Sequence, residues 1–143
     1  MKWIGPFRID RLLDGMLYDH FSKPPDSDSV YLISIKSWTN KPTPDCVPIY
    51  VGSNTSTSQR FRTRIGDILA DMFGFFTDAT GHHSGGQSIY KFCRERKINP
   101  KDLFIGWMET CGCSRCAENE EYESLQPLLN KKRPARCGRH INR

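Results

Sequence analysis

The stretch VPIYVGSNTSTSQRFRTRIG, residues 47–66, decides how the chain is read. Its apolar half, VPIYV, is built from β-branched and aromatic residues that suit a half-buried pleated surface, so it reads as a strand. Gly52 and the small polar residues after it form a loop. Beyond the loop, Phe61, Ile65, Ile68, Leu69, Met72, Phe73 and Phe76 recur three and four apart, which describes one face of a helix over about residues 59–76. Arg60, Arg62 and Arg64 therefore lie at the start of that helix. Arg60 and Arg64, four apart, share a side, where guanidinium groups and backbone N–H groups can converge on an anion such as phosphate. A solvated face with Arg64 paired to Asp67 or Asp71 is the competing reading.

Working outward, residues 6–22 carry apolar side chains at Phe7, Ile9, Leu12, Leu13, Met16, Leu17 and Phe21, an amphipathic helix interrupted by Gly15. VYLISIK at 30–36 is a strand, joined to the 47–52 strand by the Pro-rich segment SWTNKPTPDC as a hairpin with a long loop. Gly81, Gly85 and Gly86 in TDATGHHSGGQ break any regular element, and His82 and His83 read as surface-loop residues. Residues 88–97 are expected to be helical, DLFIGWME at 102–109 a third strand, and AENEEYESLQ at 117–126 a helix that Pro127 ends. The order predicts one α+β domain over 1–143, a small three-stranded, mainly antiparallel sheet flanked by helices. Residues 1–28 form a helical extension to a core at 29–130.

With 143 residues the chain can bury a core without covalent staples. No apolar run reaches the ~18 residues that span a membrane, and MKWIGPFRIDRLLDG lacks the long apolar centre of a signal peptide. The expectation is a soluble, intracellular, cytoplasmic protein without a membrane partner. Net charge is +5, and residues 131–143, KKRPARCGRHINR, hold a local +6, so the other 130 residues carry −1. A second basic cluster, Lys91, Arg94, Arg96, Lys97 and Lys101, lies in YKFCRERKINPK. Such clusters suit a polyanion, with Lys131, Lys132, Arg133 and Arg136, together with Arg62, as nucleic-acid contacts; a solubilising tail is the alternative. Six cysteines without a secretion signal argue for metal rather than disulfides. Cys113 and Cys116 form CxxC, Cys137 and His140 form CxxH, and the 20 residues between the two pairs are a spacing that fits one tetrahedral, structural Zn²⁺ in a zinc-stabilised part at 111–143. Cys111 is the alternative first ligand. Cys46 and Cys93 are packing residues.

Two tyrosines on neighbouring strands, Tyr31 in SVYLI and Tyr50 in IYVGS, are followed by Arg60 ten residues after Tyr50, then by Glu118, Pro127 and Asn130. This ordered set resembles the GIY-YIG nuclease family, over residues 29–130. The first motif reads SVY in place of Gly-Ile-Tyr and the second YVG in place of Tyr-Ile-Gly; both keep the tyrosine. Arg64 stands where members often have histidine or tyrosine. Glu121, one turn after Glu118, is a rival metal ligand.

The resemblance implies a small stand-alone endonuclease, of restriction or phage type, that hydrolyses DNA phosphodiesters with one catalytic Mg²⁺ or Mn²⁺. Glu118 would hold that ion, Arg60 would clamp the phosphate, and Tyr31 would take a proton from water. A tyrosine pKa near ~10 requires nearby positive charge for that role. Tyr50 would position phosphate or water, Asn130 would brace the site, and Arg64 would join the catalytic set. DNA is the expected partner, with RNA open, and one active site that must cut two strands favours a homodimer. The reading from another class is a zinc-stabilised nucleic-acid-binding module without cleavage activity.

Overall fold

The computed structural model describes residues 2–18, 24–54, 60–75, 84–110, 113–130 and 134. In chain order its elements are β1 (Trp3–Arg8), α1 (Ile9–Tyr18), β2 (Ser29–Ser34), β3 (Pro48–Ser53), α2 (Phe61–Met72), α3 (Ser84–Arg96), β4 (Phe104–Glu109) and α4 (Ser114–Leu125), with 3-10 turns at Pro44–Cys46 and Pro100–Asp102. The fold is α+β. Its sheet runs β1-β4-β2-β3, with every neighbouring pair antiparallel.

The expected β2–β3 hairpin forms, but the sheet has four strands where three were expected. The extra strand is β1, taken in the sequence for the start of the first helix because Phe7 fits that helix's spacing. Phe7 instead pairs with Ile105 of β4 and its ring stacks on Trp107 at 5.2 Å. Pro6 is tolerated because β1 is an edge strand whose register shifts between Ile4 and Phe7. Helix α1 then runs through Gly15 without interruption; Ile9 and Leu12 are fully buried, and their packing offsets the ~1 kcal/mol that an interior glycine costs. Helix α3 begins at Ser84, four residues before the expected start, and its first turn contains Gly85 and Gly86.

Strand alternation sends side chains to two cores. Tyr31 and Ile33 face α1, α2 and α3, packing with Leu12, Phe61 and Ile89. Val30 and Leu32 face the other way, where α4 and the 37–47 connection supply Ala117, Leu125 and Trp38. All six residues of β2 are buried, as a central strand covered on both faces requires. Cys46 and Cys93 are buried packing residues, and burial pushes the Cys93 thiol up to about 11. No helix among the described residues is long and apolar enough to cross a membrane.

Strand β3 is the other sheet edge. The chain leaving α4 covers it: Leu128 N–H donates to Pro48 C=O at 3.1 Å and Leu129 N–H to Ile49 C=O at 2.8 Å. The Asn130 side chain completes the row, accepting from Val51 N–H and donating to Val51 C=O, both at 2.9 Å. Asn130→Ala leaves both backbone groups of buried Val51 without this partner, so it should cost about 1–3 kcal/mol in urea unfolding. Asn130→Asp, which retains only the acceptor, should fall between the variant and the wild type.

Candidate active site

Antiparallel pairing sets Tyr31 opposite Gly52 and Ile33 opposite Tyr50. The two tyrosines thus share a sheet face as a diagonal pair, with ring centroids 6.2 Å apart and planes at 28°. The register shifts just beyond, with Ile33 opposite Tyr50 and Ser34 opposite Pro48, so Ile49 is an extra residue in β3. Both Ile49 and Tyr50 then join the same core cluster, the local redirection a β-bulge produces.

Glycines make room for both phenols. A Cβ at Gly52 would stand 2.4 Å from the Tyr31 hydroxyl oxygen, and one at Gly85, in the first turn of α3, 2.4 Å from Cζ of Tyr50. Gly85 is absent from the sequence reading of the site because a glycine required for close approach looks in the sequence like one that breaks an element.

Helix α2 brings Phe61 to 6.0 Å from the Tyr31 ring and divides the arginines. Arg60 is the N-terminal cap residue; its side chain is 76% exposed and lies 3.9 Å from the Asp26 carboxylate. Arg62 donates to Pro24 C=O at 2.7 Å and lies 3.8 Å from Asp26. Arg64, one turn into the helix, lowers the pKa of Tyr31, Tyr50 and Glu118 alike. Its Nε is buried and has no hydrogen-bond acceptor among the described residues. The expected phosphate clamp, Arg60, is thus at the surface, and Arg64 is the arginine within electrostatic reach of the tyrosines and the glutamate.

Glu118 comes from α4, on the opposite face of the sheet, and Ser53 Oγ donates to its Oε2 at 2.8 Å. Burial raises its pKa, partly opposed by the Ser53 hydrogen bond, Arg64 and Arg115. Nothing in the sequence distinguished Ser53 from a loop-starting serine. Glu121 faces elsewhere, into a groove of about 530 Å³ lined also by Lys2, Trp3, Asn40, Lys41 and Met108. Its pKa is raised by burial and by Glu120 and lowered by Lys41.

Tyr31 is fully buried, and its pKa is raised well above 10, first by burial, then by Tyr50, with Arg64 opposing and Glu118 adding to the rise. Tyr50 is raised by burial and by Glu118, again against Arg64. Both phenols therefore carry their protons at neutral pH. Asn130 braces β3 between Tyr50 and Gly52 through its bonds to Val51.

Cys113 is the N-terminal cap residue of α4, and its Sγ accepts from Cys116 N–H at 3.4 Å. Cys111, Cys137, His140, His82, His83 and the cations Lys131, Lys132, Arg133 and Arg136 lie outside the described residues. Among the described residues, no group of three or more His, Cys, Asp and Glu side chains is placed to hold a metal ion. Comparison of the chain with protein-family models, with curated proteins and with solved structures gives no match.

The raised pKa of Glu118 has a testable sign. A group whose folded pKa exceeds its unfolded value, 4.5 here, stabilises the fold while protonated and loses that contribution as pH rises through the folded pKa. Glu118→Gln keeps an acceptor for Ser53 and removes the buried charge. It should raise the melting temperature at pH 7, with the gap to wild type closing towards pH 4. A lower melting temperature for the variant at pH 7 would show the charge to be net stabilising.

Proposed function

We propose that this protein is a divalent-metal-dependent endonuclease that hydrolyses DNA phosphodiester bonds with a GIY-YIG-like site. The observation that carries the reading is the Tyr31–Tyr50 ring pair, beside Ser53 and its Glu118 partner, within the electrostatic reach of both Arg64 and Glu118. These groups come from four different elements, β2, β3, α2 and α4, and from both faces of the sheet.

The donor set suits a hard cation. Glu118 and the Ser53 hydroxyl are oxygen donors beside one another, and a lone carboxylate matches an ion such as Mg²⁺ or Mn²⁺ that retains several waters. A carboxylate whose pKa is raised by burial is also one whose charge gains from a cation. Bound there, such an ion supplies charge stabilisation at the phosphoryl and departing 3′ oxygens.

The residues of the chain do the rest. Arg64 presents a planar donor to a phosphate oxygen, which satisfies the Nε that has no acceptor among the described residues. Arg60, tied loosely to Asp26, contacts the strand outside the centre. Tyr50 positions the phosphate, and Asn130 holds β3 in place. Tyr31 carries its proton in the free protein; taking a proton from water requires positive charge to lower its pKa, and Arg64 acts in that direction.

A zinc-stabilised nucleic-acid-binding module without cleavage is the second reading, favoured by the complete burial of Tyr31. Under either reading, Cys113 and Cys116 hold one structural Zn²⁺ together with Cys137 and His140. Supporting this is the Cys116 N–H donated to Cys113 Sγ, a bond that strengthens when its acceptor is a thiolate.

Supercoiled plasmid with Mg²⁺ separates the readings. Tyr31→Phe, Arg64→Gln and Glu118→Ala should each slow nicking by at least ~100-fold, the size of losing one positioned catalytic group, while Arg60→Gln and Glu121→Ala slow it less. Wild-type protein that binds the plasmid and leaves it intact would favour the binding module. Metal analysis should find about one zinc per chain, lost in Cys113→Ser with a fall in melting temperature; a zinc-free, fully stable wild type removes the zinc site.

A further inference from the structure

We propose that the cationic end of α3, carried by Lys91, Arg94, Lys97 and Lys101, is a docking surface for the phosphate backbone of duplex DNA. The inference rests on the hydrolase reading for its choice of polyanion, and it locates a contact that the site residues do not supply.

The segment YKFCRERKINPK holds five cations and one acid, Glu95. All five cations are exposed, while Ile89, Phe92 and Cys93 turn inward to the core. Lys91 and Arg94, three apart, share the outward side of the helix. The helix end is closed by Ile98 N–H donating to Cys93 C=O at 2.9 Å and Lys97 N–H to Arg94 C=O at 3.4 Å, with Lys97 at φ 57°. This paired closure fixes where the last turn stops. Asn99 then caps the following 3-10 turn through Lys101 N–H at 3.0 Å, so Lys101 also sits on ordered backbone. The neighbouring acid, Asp102, is engaged by Arg8 at 3.0 Å.

Cations in a last turn also complement the helix dipole, which amounts to roughly half a charge. That accounts for Arg94 and Arg96 in the last turn, and for neither Lys91, a turn earlier, nor Lys101, beyond the helix. Arg96 lies over the Phe92 ring at 4.7 Å, which holds it at the helix end. On the helix itself Phe92 and Cys93 are buried and the exposed side carries charge; an apolar groove lined by Leu13, Leu69, Ala70, Phe73 and Phe75 opens only beside Lys101, so the choice of a polyanion rests on the cations of the helix and on the hydrolase reading.

The same helix is keyed to the candidate site, because Gly85 abuts Tyr50 and a Cβ at Gly86 would stand 2.6 Å from Cβ of Asp71. At 1.5 Å per residue, Arg94 lies about 13 Å along the helix from Gly85. That corresponds to about four nucleotide steps at roughly 3.4 Å each along one strand. The surface would therefore hold phosphates flanking the one at the site, independently of sequence.

The test is the salt dependence of binding to a fluorescent 24-base-pair duplex without added Mg²⁺. The variant Arg94→Gln/Lys97→Gln/Lys101→Gln should lower the log–log slope by about 2.7, at about 0.9 per phosphate contact, and Lys101→Gln alone, outside the helix, by about 0.9. A control that removes the same charge elsewhere, Lys2→Gln/Lys36→Gln/Lys41→Gln, should leave the slope near wild type. An unchanged slope in the α3 variants, an equal drop in the control, tighter binding to single-stranded RNA than to the duplex, or no duplex binding by the wild type overturns the proposal. Plasmid and Mg²⁺ with the same preparations keep the two readings apart. Duplex bound through α3 and left uncut removes the hydrolase reading alone, whereas cutting with an α3-independent slope removes this inference alone.

Discussion

The register of β2 against β3 is the constraint on which the site depends. It sets Tyr31 over Gly52 on one side, while Trp107 of β4 lies opposite on the other. The phenol therefore has a bulky neighbour in one direction and a missing side chain in the other, and its hydroxyl lies over the glycine. A slip of one residue would turn Tyr31 to the α4 face and place a side chain where the gap must be. Tyr50 shares the side of Tyr31 by alternation, and the extra residue, Ile49, turns to the same side beneath it. Backbone pairing, more than side-chain contact, fixes the relation of the two rings.

Around those rings the fold collects groups that burial makes costly. Glu118 and the two phenols all have raised pKa values with desolvation as the largest cause, and Arg64 opposes the rise in each case. A core built for stability alone would replace them with apolar residues. The two hydrophobic clusters on either face of the sheet offset this local cost, which is the arrangement expected where a few polar groups are kept for chemistry.

Much of this was legible in the sequence, for identifiable reasons. The β-branched and aromatic runs at 30–34 and 48–51 and the three-and-four spacing after Phe61 each have one interpretation, and all three elements form. The pairing of the tyrosines followed from adjacency. Strand β1 was missed because Phe7 satisfies helical spacing as well as strand pairing, and only the partner β4 distinguishes the two. The start of α3 was missed because Gly85 and Gly86 serve close packing. Arg60 and Arg64 share a helix side in the sequence, yet the first sits at the solvent-exposed cap and the second a turn deeper. Glu118 and Glu121, three apart, also share a side by helical spacing, but a 60° rotation and about 4.5 Å of rise separate Ser53 from the groove at Lys41.

The strip of chain from Leu128 to Asn130 along β3 bears on how this protein behaves in company. A bare sheet edge is a template on which another chain can add a strand, the first step towards aggregation. Here one edge is already occupied by the protein's own backbone and by an asparagine side chain that imitates it. The other edge, β1, is broken in register around Gly5 and Pro6. Self-association by continuing the sheet is thereby obstructed at both ends, which leaves the helical faces for any symmetric pairing. Proteolysis before Leu128 would uncover an adhesive edge and, in the same event, remove the brace beside Tyr50, so a clipped molecule would gain a template for aggregation as it lost the support of its site.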